Sequence, residues 1–429
     1  MTNVFSRRSS RNPWAWVTTL YFAQGIPYVV AMTVSVIMYK RMGISNTDIA
    51  LWTSGLYLAW VLKPLWSPFV DMYRTKRLWV ISLQLVLGLA LILAAVAIPM
   101  PSFFLVTILI FWFMAFASAT HDIAADGFYM LALPEHQQAS FAGVRSTFYR
   151  IAMITGQGLL VVLAGYLETH GEANIAHAWS VTFGVLAVLF LVFFAYHRFI
   201  LPYPGGDRPV RTTEQGPLKD FLEVFASFFR KKNIVATLAF LLLYRFAEAQ
   251  LVKLVTPFLL DGRDGGGLGL TTSEVGIVYG SIGVVSLLLG GLIGGYLVSR
   301  RGLRFWLWIM VFVMHIPDLM FVYLSQVQPE SLFLISGAVA LEQFGYGFGF
   351  TAYMLYMIHV SEGDHKTAHY AICTGFMALG MMLPGMASGW IQEQLGYKMF
   401  FIWIILSTIP SFIVPALVKI PSEFARKKG

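Results

Sequence analysis

The stretch LWVISLQLVLGLALILAAVAI, residues 78–98, decides the fold of this chain. Its interior polar positions are Ser82 and Gln84, and it carries no charge. About 20 apolar residues in an α-helix are needed to cross the hydrocarbon core of a membrane. In lipid the backbone must satisfy its own hydrogen bonds, so a span is either a helix or a closed barrel. Barrel strands alternate polar and apolar residues, which this stretch does not do, and it is therefore predicted to be a membrane-spanning helix.

The composition of the whole chain agrees with a membrane protein. Of the 429 residues, 57% are hydrophobic and 12% are charged, whereas soluble domains carry about 25% charged residues. The apolar runs predict an all-α integral membrane protein with twelve transmembrane helices. The predicted spans are residues 14–39, 47–67, 78–98, 103–133, 139–167, 177–197, 233–260, 272–299, 305–326, 331–359, 367–392 and 397–418.

The positions of the basic residues predict the orientation of the chain. The net charge is +8, and most of the lysines and arginines lie in alternate loops and in the two tails. The positive-inside rule places these loops, and both termini, on the cytoplasmic side. This distribution explains the positive charge without a nucleic-acid partner.

The two halves of the chain resemble each other. GISNTDIA (residues 43–50) recurs as GLTTSEVG (residues 269–276), and each contains a capping-box pattern that predicts a helix start. Two more pairs recur in the same order and at nearly the same separation: SPFVDMYRTKR (67–77) with GGYLVSRRGLR (294–304), and HQQASFA (136–142) with HKTAHYA (365–371).

Parallel repeats of six helices are the plan of two-bundle transporters. We therefore predict an N-terminal six-helix bundle in residues 1–200 and a C-terminal six-helix bundle in residues 233–429. Residues 201–232 are predicted to form a cytoplasmic linker that ends in an amphipathic helix at the membrane surface.

The loop after the eighth span identifies a superfamily by resemblance. GYLVSRRGLR (residues 295–304) resembles the cytoplasmic loop signature Gly-x-Leu-Ala-Asp-Arg-x-Gly-Arg-Arg of the major facilitator superfamily, with Ser299 in place of the acid. The first-half copy keeps the acid and has Met72 where the signature has Arg. Small residues in such a loop allow close helix contact, and its charges are expected to clamp a cytoplasmic gate; the alternative is an ordinary positive-inside loop. The predicted gating residues are Asp71, Arg74, Arg300 and Arg304.

Charges within the fourth and fifth spans are the first candidate site. Asp122 and Arg150 each lie about fourteen residues from the turn near His136, and Asp126 and Arg145 lie nine or ten away. At a rise of 1.5 Å per residue, each pair is expected at one depth, as two rungs of acid–base pairs. Because ionisable groups at this depth are costly, we predict a role in proton coupling for all four residues. The alternative is a pair of static salt bridges that fix the register of the hairpin.

Polar residues in the first, seventh and tenth spans are the second candidate site. Arg245 and Glu248 lie three apart near mid-membrane, Glu342 is followed by Gln343, and Gln24 adjoins a Gly and a Pro that weaken its helix. We predict that these five residues bind substrate. The alternative is an intrahelical Arg–Glu pair without a ligand.

The remaining membrane charges are given structural roles. His315 and Asp318 are three apart and are expected to form a local pair, on a helix that in this superfamily usually lies outside the cavity. Lys63 and Lys253 are expected to extend toward a membrane interface. His121 adjoins an aspartate, but adjacent residues point apart, so neither a metal site nor a cofactor is predicted. The sequence contains no hydrolase or metalloprotease motif, and no enzyme activity is predicted.

Five segments resemble the AmpG-type anhydromuropeptide permeases. KPLWSPFVDMY (63–73) is similar to Lys-Phe-Leu-Trp-Ser-Pro-Leu-x-Asp-Arg-Tyr in that family, and SATHDIAADG (118–127) is similar to Ser-Ala-Ser-Gln-Asp-Ile-x-x-Asp-Ala. The other three are YRIAM (149–153), LLYRFAEA (242–249) and LEQFGYGFG (341–349), which resemble Tyr-Arg-Leu-Gly-Met, Leu-Tyr-Lys-Leu-Gly-Asp-Ala and Phe-Glu-Asn-x-x-Gly-Gly-Met-Gly. These segments contain most of the membrane charges described above.

The resemblance implies proton-linked import of anhydromuropeptides, which are cell-wall fragments, across the bacterial cytoplasmic membrane by alternating access. The implied partners are protons, the lipid bilayer and an anionic saccharide–peptide, and a monomer is expected. Three alternatives remain from the residues alone. In the first, the transported solute is an acyl-CoA, a peptide or a drug-like compound. In the second, the direction of transport is export. In the third, the protein is a receptor that binds a solute without transporting it.

Overall fold

The computed structural model describes residues 11–170, 174–208, 217–363, 365–422 and 424–425, and all regular secondary structure in these ranges is helical. The helices up to the linker are α1 Val17–Val29, α2 Ser35–Arg41, α3 Asn46–Gly55, α4 Leu58–Met72, α5 Lys76–Ala97, α6 Phe103–Ala132, α7 Glu135–Ile154, α8 Val161–His170 and α9 Ile175–Ile200. From the linker on they are α10 Pro217–Phe229, α11 Ile234–Leu243, α12 Phe246–Leu260, α13 Thr272–Val275, α14 Val284–Arg301, α15 Leu303–His315, α16 Leu319–Val327, α17 Leu332–Ser361, α18 Lys366–Ser407 and α19 Ile409–Leu417.

Nine helical segments within the described residues are long and apolar enough to cross a membrane. They are Pro13–Arg41, Lys76–Ala97, Phe103–Ala132, Gly143–His170, Ile175–Ile200, Ile234–Leu260, Thr272–Arg301, Leu303–Val327 and Ala368–Leu417. The last contains both of the final two predicted spans, joined through a kink at Gly396, whose φ is 68°. The prediction of a helical membrane protein is confirmed, and the number twelve stays a prediction. Large apolar side chains such as Leu93 and Val96 are more than half exposed, as expected of surfaces that face lipid.

The contacts of the chain divide it into two compact units. Unit 1 contains Met1–Ser35 and Leu62–Lys219, and unit 2 contains Val36–Val61 and Asp220–Gly429. The second unit therefore includes α2, α3 and the start of α4, which the sequence repeat assigns to the first half. Residues 209–216 of the predicted linker lie outside the described residues, and its predicted amphipathic helix is present as α10.

In unit 1, α1 packs closely against α7 and the π-helical segment that follows it. A Cβ atom on Gly25 would lie 2.8 Å from the Cβ of Ala152, and one on Gly156 would lie 2.2 Å from Cγ1 of Val29. Glycine at both positions allows the two backbones to approach. The core of this unit is aromatic, with an edge-to-face contact of Trp16 and Phe128 at 5.3 Å among others.

In unit 2, α17 is the central helix and packs against α14 and α15. Its Gly347 is so close to α14 that an added Cβ would lie 2.0 Å from the carbonyl oxygen of Leu287. Helix α18 packs in the same way on α3, because a Cβ on Gly389 would lie 2.0 Å from the carbonyl oxygen of Asn46. Glycine in α18 thus allows two helix backbones of unit 2 to approach.

The side chains predicted to cap two helix starts form those caps in the structure. Ser45 Oγ accepts a hydrogen bond from the Asp48 amide at 3.0 Å and caps α3. Thr271 and Glu274 form a complete capping box at the start of α13. These side chains satisfy amide groups that a helix start leaves free.

Two membrane-length helices of unit 2 are interrupted where charged residues occur. The helix formed by α11 and α12 breaks at Tyr244 and Arg245, so Glu248 lies in the first turn of α12. A short 3₁₀ segment around Pro317 separates α15 from α16 and ends at Asp318. Discontinuous membrane helices free backbone groups at depth and often line ligand sites.

Candidate functional site

Asp126 is the centre of a polar cluster in unit 1. Arg145 Nη2 of α7 lies 3.1 Å from Asp126 Oδ1 of α6, and the Tyr21 hydroxyl of α1 donates to the same oxygen at 2.9 Å. The Arg145 guanidinium also covers the rings of Tyr21 and Tyr129, at 4.6 and 5.1 Å. The side chains of Asp126 and Arg145 are 39% and 34% exposed, so the pair is not enclosed by the protein. This rung of the predicted ladder is confirmed as a contact, and its role stays a prediction.

The second predicted rung is wrong. Asp122 Oδ2 lies 3.5 Å from Lys63 Nζ of α4, whereas Arg150 Nε donates to Ser146 Oγ of its own helix at 3.4 Å. Between Asp122 and Arg150, both within the described residues, the structure forms no salt bridge. Equal depth in a hairpin does not fix the direction in which two side chains point. Lys63 has Asp122 within reach, and its expected extension toward a membrane interface stays a prediction.

A buried chain of hydrogen-bonding side chains also lies in unit 1, and sequence reasoning missed it. Gln84 of α5 contacts His121 of α6 at 3.2 Å and His197 of α9 at 2.8 Å, and His197 contacts Thr19 at 2.9 Å. Buried polar groups need such partners, since a lost hydrogen bond costs about 1–3 kcal/mol. The polar Gln84 within an otherwise apolar span was the available signal.

Gln24 of α1 is also buried in unit 1, with 7% of its surface exposed. Its Oε1 has no hydrogen-bond partner within the described residues. A buried acceptor without a donor is costly, so a ligand that donates a hydrogen bond there would be favoured.

Arg245 of unit 2 is held by aromatic rings rather than by an acid. Its guanidinium lies 4.7 Å from the ring centre of Phe350, 5.2 Å from Tyr346 and 5.9 Å from Tyr353. It also donates a hydrogen bond to the Tyr346 hydroxyl. Cation–π contacts stabilise a buried guanidinium while leaving donors for an anion. The alternative of an Arg245–Glu248 ion pair is not formed within the described residues.

Three carboxylates from three helices meet in unit 2. One oxygen of each of Glu248, Asp318 and Glu342 lies within 4.8 Å of the other two, and the three residues are 0–1% exposed. Two full charges at that distance repel by about 3.5 kcal/mol at an effective dielectric constant of about 20. The cluster therefore resists carrying three negative charges.

The neighbours of these carboxylates supply two hydrogen bonds. Gln343 Nε2 donates to Glu342 Oε2 at 3.0 Å, and His315 Nδ1 lies 3.1 Å from Asp318 Oδ2. The His315–Asp318 pair is thus confirmed. That its helix lies outside the cavity stays a prediction, while Asp318, at the end of the 3₁₀ segment around Pro317, lies close to Glu248 and Glu342.

Lys253 does not extend to an interface, contrary to the expectation from sequence. It is 3% exposed, donates to Thr53 Oγ1 of α3 at 3.2 Å, and lies 5.5 Å from the ring centre of Tyr57. Nearby, Lys40 forms a salt bridge with Asp261 at 2.7 Å. Both contacts join residues 36–61 to α12 and its C-terminal end within unit 2.

The predicted gating arginines Arg74, Arg300 and Arg304 are exposed, and the Arg300 guanidinium lies 4.7 Å from the Tyr296 ring centre. The side chain of Asp71 lies outside the described residues. A Cβ on Gly294 would lie 3.1 Å from the Phe348 carbonyl oxygen, whereas one on Gly295 would meet no described atom within 4 Å. The close helix contact expected from the loop signature is therefore made one residue before the signature begins.

Membrane-length apolar helices that carry ionisable side chains, some of them paired, are typical of membrane transport proteins. The chain belongs to the Major Facilitator Superfamily, whose family model matches residues 17–361. Within that superfamily it is similar to the AmpG-like permeases. It is 26% identical over 426 residues to the anhydromuropeptide permease of Escherichia coli K12, covering 95% of this chain and 80% of that protein. A Rickettsia conorii protein that carries the name AmpG 4 is 26% identical over 411 residues, covering 92% of this chain and 94% of the relative.

Solved structures agree on the fold. The nucleoside transporter NupG has a TM-score of 0.71 at 16% identity, and the match covers 94% of this chain and 98% of that one. Identity this low supports the fold alone.

Proposed function

We propose that this protein is a proton-coupled importer of anhydromuropeptides that works by alternating access. The observation that carries the proposal is the contact of Asp126 with Arg145 and Tyr21, in a segment that resembles the AmpG-type permeases. The similarity to an anhydromuropeptide permease over 95% of the chain supports the substrate class.

Proton coupling is assigned to the charges of unit 1. The carboxylate of Asp126 is the proposed proton carrier, and Arg145 and Tyr21 are the contacts that would change during transport. Asp126 and Arg145 are partly exposed, so the pair is not enclosed by the protein. Asp122, with Lys63 as its partner, and Arg150 complete the proposed coupling group. Each positive charge that moves into a negatively polarised cell gains about 2.3 kcal/mol per 100 mV of membrane potential.

Substrate contacts are assigned to Gln24 of unit 1 and to Arg245, Glu248, Glu342 and Gln343 of unit 2. The Arg245 guanidinium lies against rings and keeps donors for a carboxylate of an anionic saccharide–peptide. The buried Gln24 Oε1 without a donor suits a hydroxyl or amide of such a solute.

The proposed topology has twelve spans in two six-helix bundles, residues 1–200 and 233–429, joined by a linker. Both termini lie in the cytoplasm of a bacterium, and the protein acts as a monomer in the inner membrane. Asp71, Arg74, Arg300 and Arg304 are proposed to clamp the cytoplasmic gate.

Uptake of labelled anhydromuropeptide into cells that lack their own permease tests the proposal. Uptake should require this protein and should collapse when a protonophore is added. If the membrane-inserted protein gave no uptake, the substrate assignment would be wrong, and acyl-CoA, peptide and drug-like solutes would be tested in the same cells. Uptake that persists with the protonophore would instead contradict proton coupling.

A further inference from the structure

We propose that Glu248, Asp318 and Glu342 form a proton-binding site in unit 2. This site is distinct from Asp126 and holds at least one proton at neutral pH. The protonation of this cluster needs no particular substrate. Only its use in coupling rests on the proposed proton-driven transport.

The hydrogen bonds of the cluster are incomplete. Of its six carboxylate oxygens, Asp318 Oδ2 and Glu342 Oε2 have partners. Both oxygens of Glu248, Asp318 Oδ1 and Glu342 Oε1 are buried and have no partner within the described residues. A buried anionic oxygen without a donor is strongly disfavoured. A proton on one carboxyl group supplies a donor to another and removes one negative charge.

The surrounding groups do not neutralise the cluster. Arg245 is the nearby cation, but its hydrogen bond goes to the Tyr346 hydroxyl and its guanidinium faces aromatic rings. Tyr279 is close enough to Glu248 and Glu342 to interact with them, and it carries no positive charge.

Of the three carboxylates, His315 forms an ion pair with Asp318, and its Nε2 has no hydrogen-bond partner within the described residues. His315 thus forms an ion pair with one carboxylate, and Arg245 acts on Glu248 electrostatically without forming a salt bridge within the described residues.

A proton suits this geometry better than a metal ion. Calcium binds six to eight oxygens, and magnesium demands octahedral geometry. The cluster offers four unpartnered oxygens on fully buried side chains. Neighbouring carboxyl groups that cannot both ionise share a proton, as two carboxylates in one site do elsewhere.

The breaks in the helices make the site responsive to movement. Glu248 follows the break at Arg245, and Asp318 ends the break at Pro317, so both side chains sit at hinges while Glu342 lies within the continuous α17. A change at either hinge would separate the carboxylates and favour release of the shared proton. This is how protonation of unit 2 would be coupled to conformation.

Infrared spectroscopy of the purified protein in lipid nanodiscs, without substrate, tests the proposal. At neutral pH we expect the carbonyl band of a protonated carboxylic acid, shifted in D₂O and lost at high pH. The band should persist in Asp126→Asn and disappear in the triple variant Glu248→Gln, Asp318→Asn, Glu342→Gln. The matched control is the double variant Asp264→Asn, Glu330→Gln, which changes exposed carboxylates and should keep the band.

Absence of the band from the wild-type protein at neutral pH, or a band that survives in the triple variant, would overturn the proposal. If the triple variant fails to fold, the wild-type pH titration and the single variant Glu342→Gln, which should weaken the band, decide the question. A wild-type protein that lacks the band and is stabilised against heat by sodium or calcium, relative to choline, would hold a metal ion instead. Because no substrate is present, failure of muropeptide uptake would leave this result unaffected.

Discussion

Arg145 Nη2 and Asp126 Oδ1 lie 3.1 Å apart across the hairpin of α6 and α7, and the Tyr21 hydroxyl donates to the same carboxylate oxygen. Two donors on one partly exposed acid form a site that can respond both to protons and to movement of α1 or α7. We therefore assign to this pair the proposed coupling between proton movement and solute transport.

Asp126→Asn should reduce protonophore-sensitive uptake to the level of cells without the protein. The amide keeps the shape of the side chain and can accept from Tyr21, but it cannot take up and release a proton. Uptake of labelled solute and the amount of protein in the membrane should be measured together. Asp264→Asn, an exposed loop carboxylate, is the control and should retain wild-type uptake. Equal uptake by both variants would exclude Asp126 as the proton carrier.

Lys63 and Asp122 should show an energetic coupling in a double-mutant cycle of Lys63→Ala and Asp122→Asn. The two side chains are 27% and 14% exposed, and their separation is 3.5 Å, so the expected coupling is about 1 kcal/mol. The measurement is the free energy of unfolding in mixed detergent micelles. A control cycle of Lys63→Ala with Asp264→Asn should be additive within about 0.5 kcal/mol. If the cycle of Lys63→Ala and Asp122→Asn were additive within the same limit, the Lys63–Asp122 pair would contribute nothing to the free energy of unfolding.

More of the fold than of the candidate site could be predicted from the sequence. Apolar run length predicted helical spans, and capping residues predicted where α3 and α13 begin, because both depend on neighbours along the chain. The Asp126–Arg145 pair was predictable since an antiparallel hairpin fixes the depth of its residues. Depth leaves side-chain direction open, which is why Arg150 was assigned wrongly to Asp122.

The acidic cluster could not be predicted in the same way. Its members come from α12, the segment before α16, and α17, so their meeting depends on helix packing and on two helix breaks. Pro317 signalled one break in the sequence, whereas the break before α12 has no proline. Sequence alone therefore did not group Asp318 with Glu248 and Glu342.

Arg245→Lys should raise the KM for an anionic substrate about tenfold with a smaller effect on the maximal rate. Lysine lacks the planar group that covers three rings and offers a fork of donors, a loss of about 1–2 kcal/mol. Concentration-dependent uptake measures both constants. Arg301→Lys is the matched control, since this exposed arginine lies 5.0 Å from the Phe305 ring centre and has no assigned role in transport. An unchanged KM in Arg245→Lys would remove Arg245 from the substrate site.

Gly347→Ala should destabilise the protein by about 3 kcal/mol or prevent its folding, because the new Cβ would lie 2.0 Å from the Leu287 carbonyl oxygen. Gly337→Ala on the same helix meets no described atom within 4 Å and should be neutral or stabilising by about 0.5–1 kcal/mol. Thermal unfolding of the two purified variants provides the comparison. Similar melting temperatures would contradict the close approach of α14 and α17.

The central claim is that solute and protons move together, and purified protein in liposomes tests it most directly. A pH-sensitive dye is enclosed, and anhydromuropeptide is added outside without an imposed pH gradient. The account predicts acidification of the lumen that requires the protein and is lost in Asp126→Asn but not in Asp264→Asn. Entry of labelled anhydromuropeptide without any change in internal pH would contradict it.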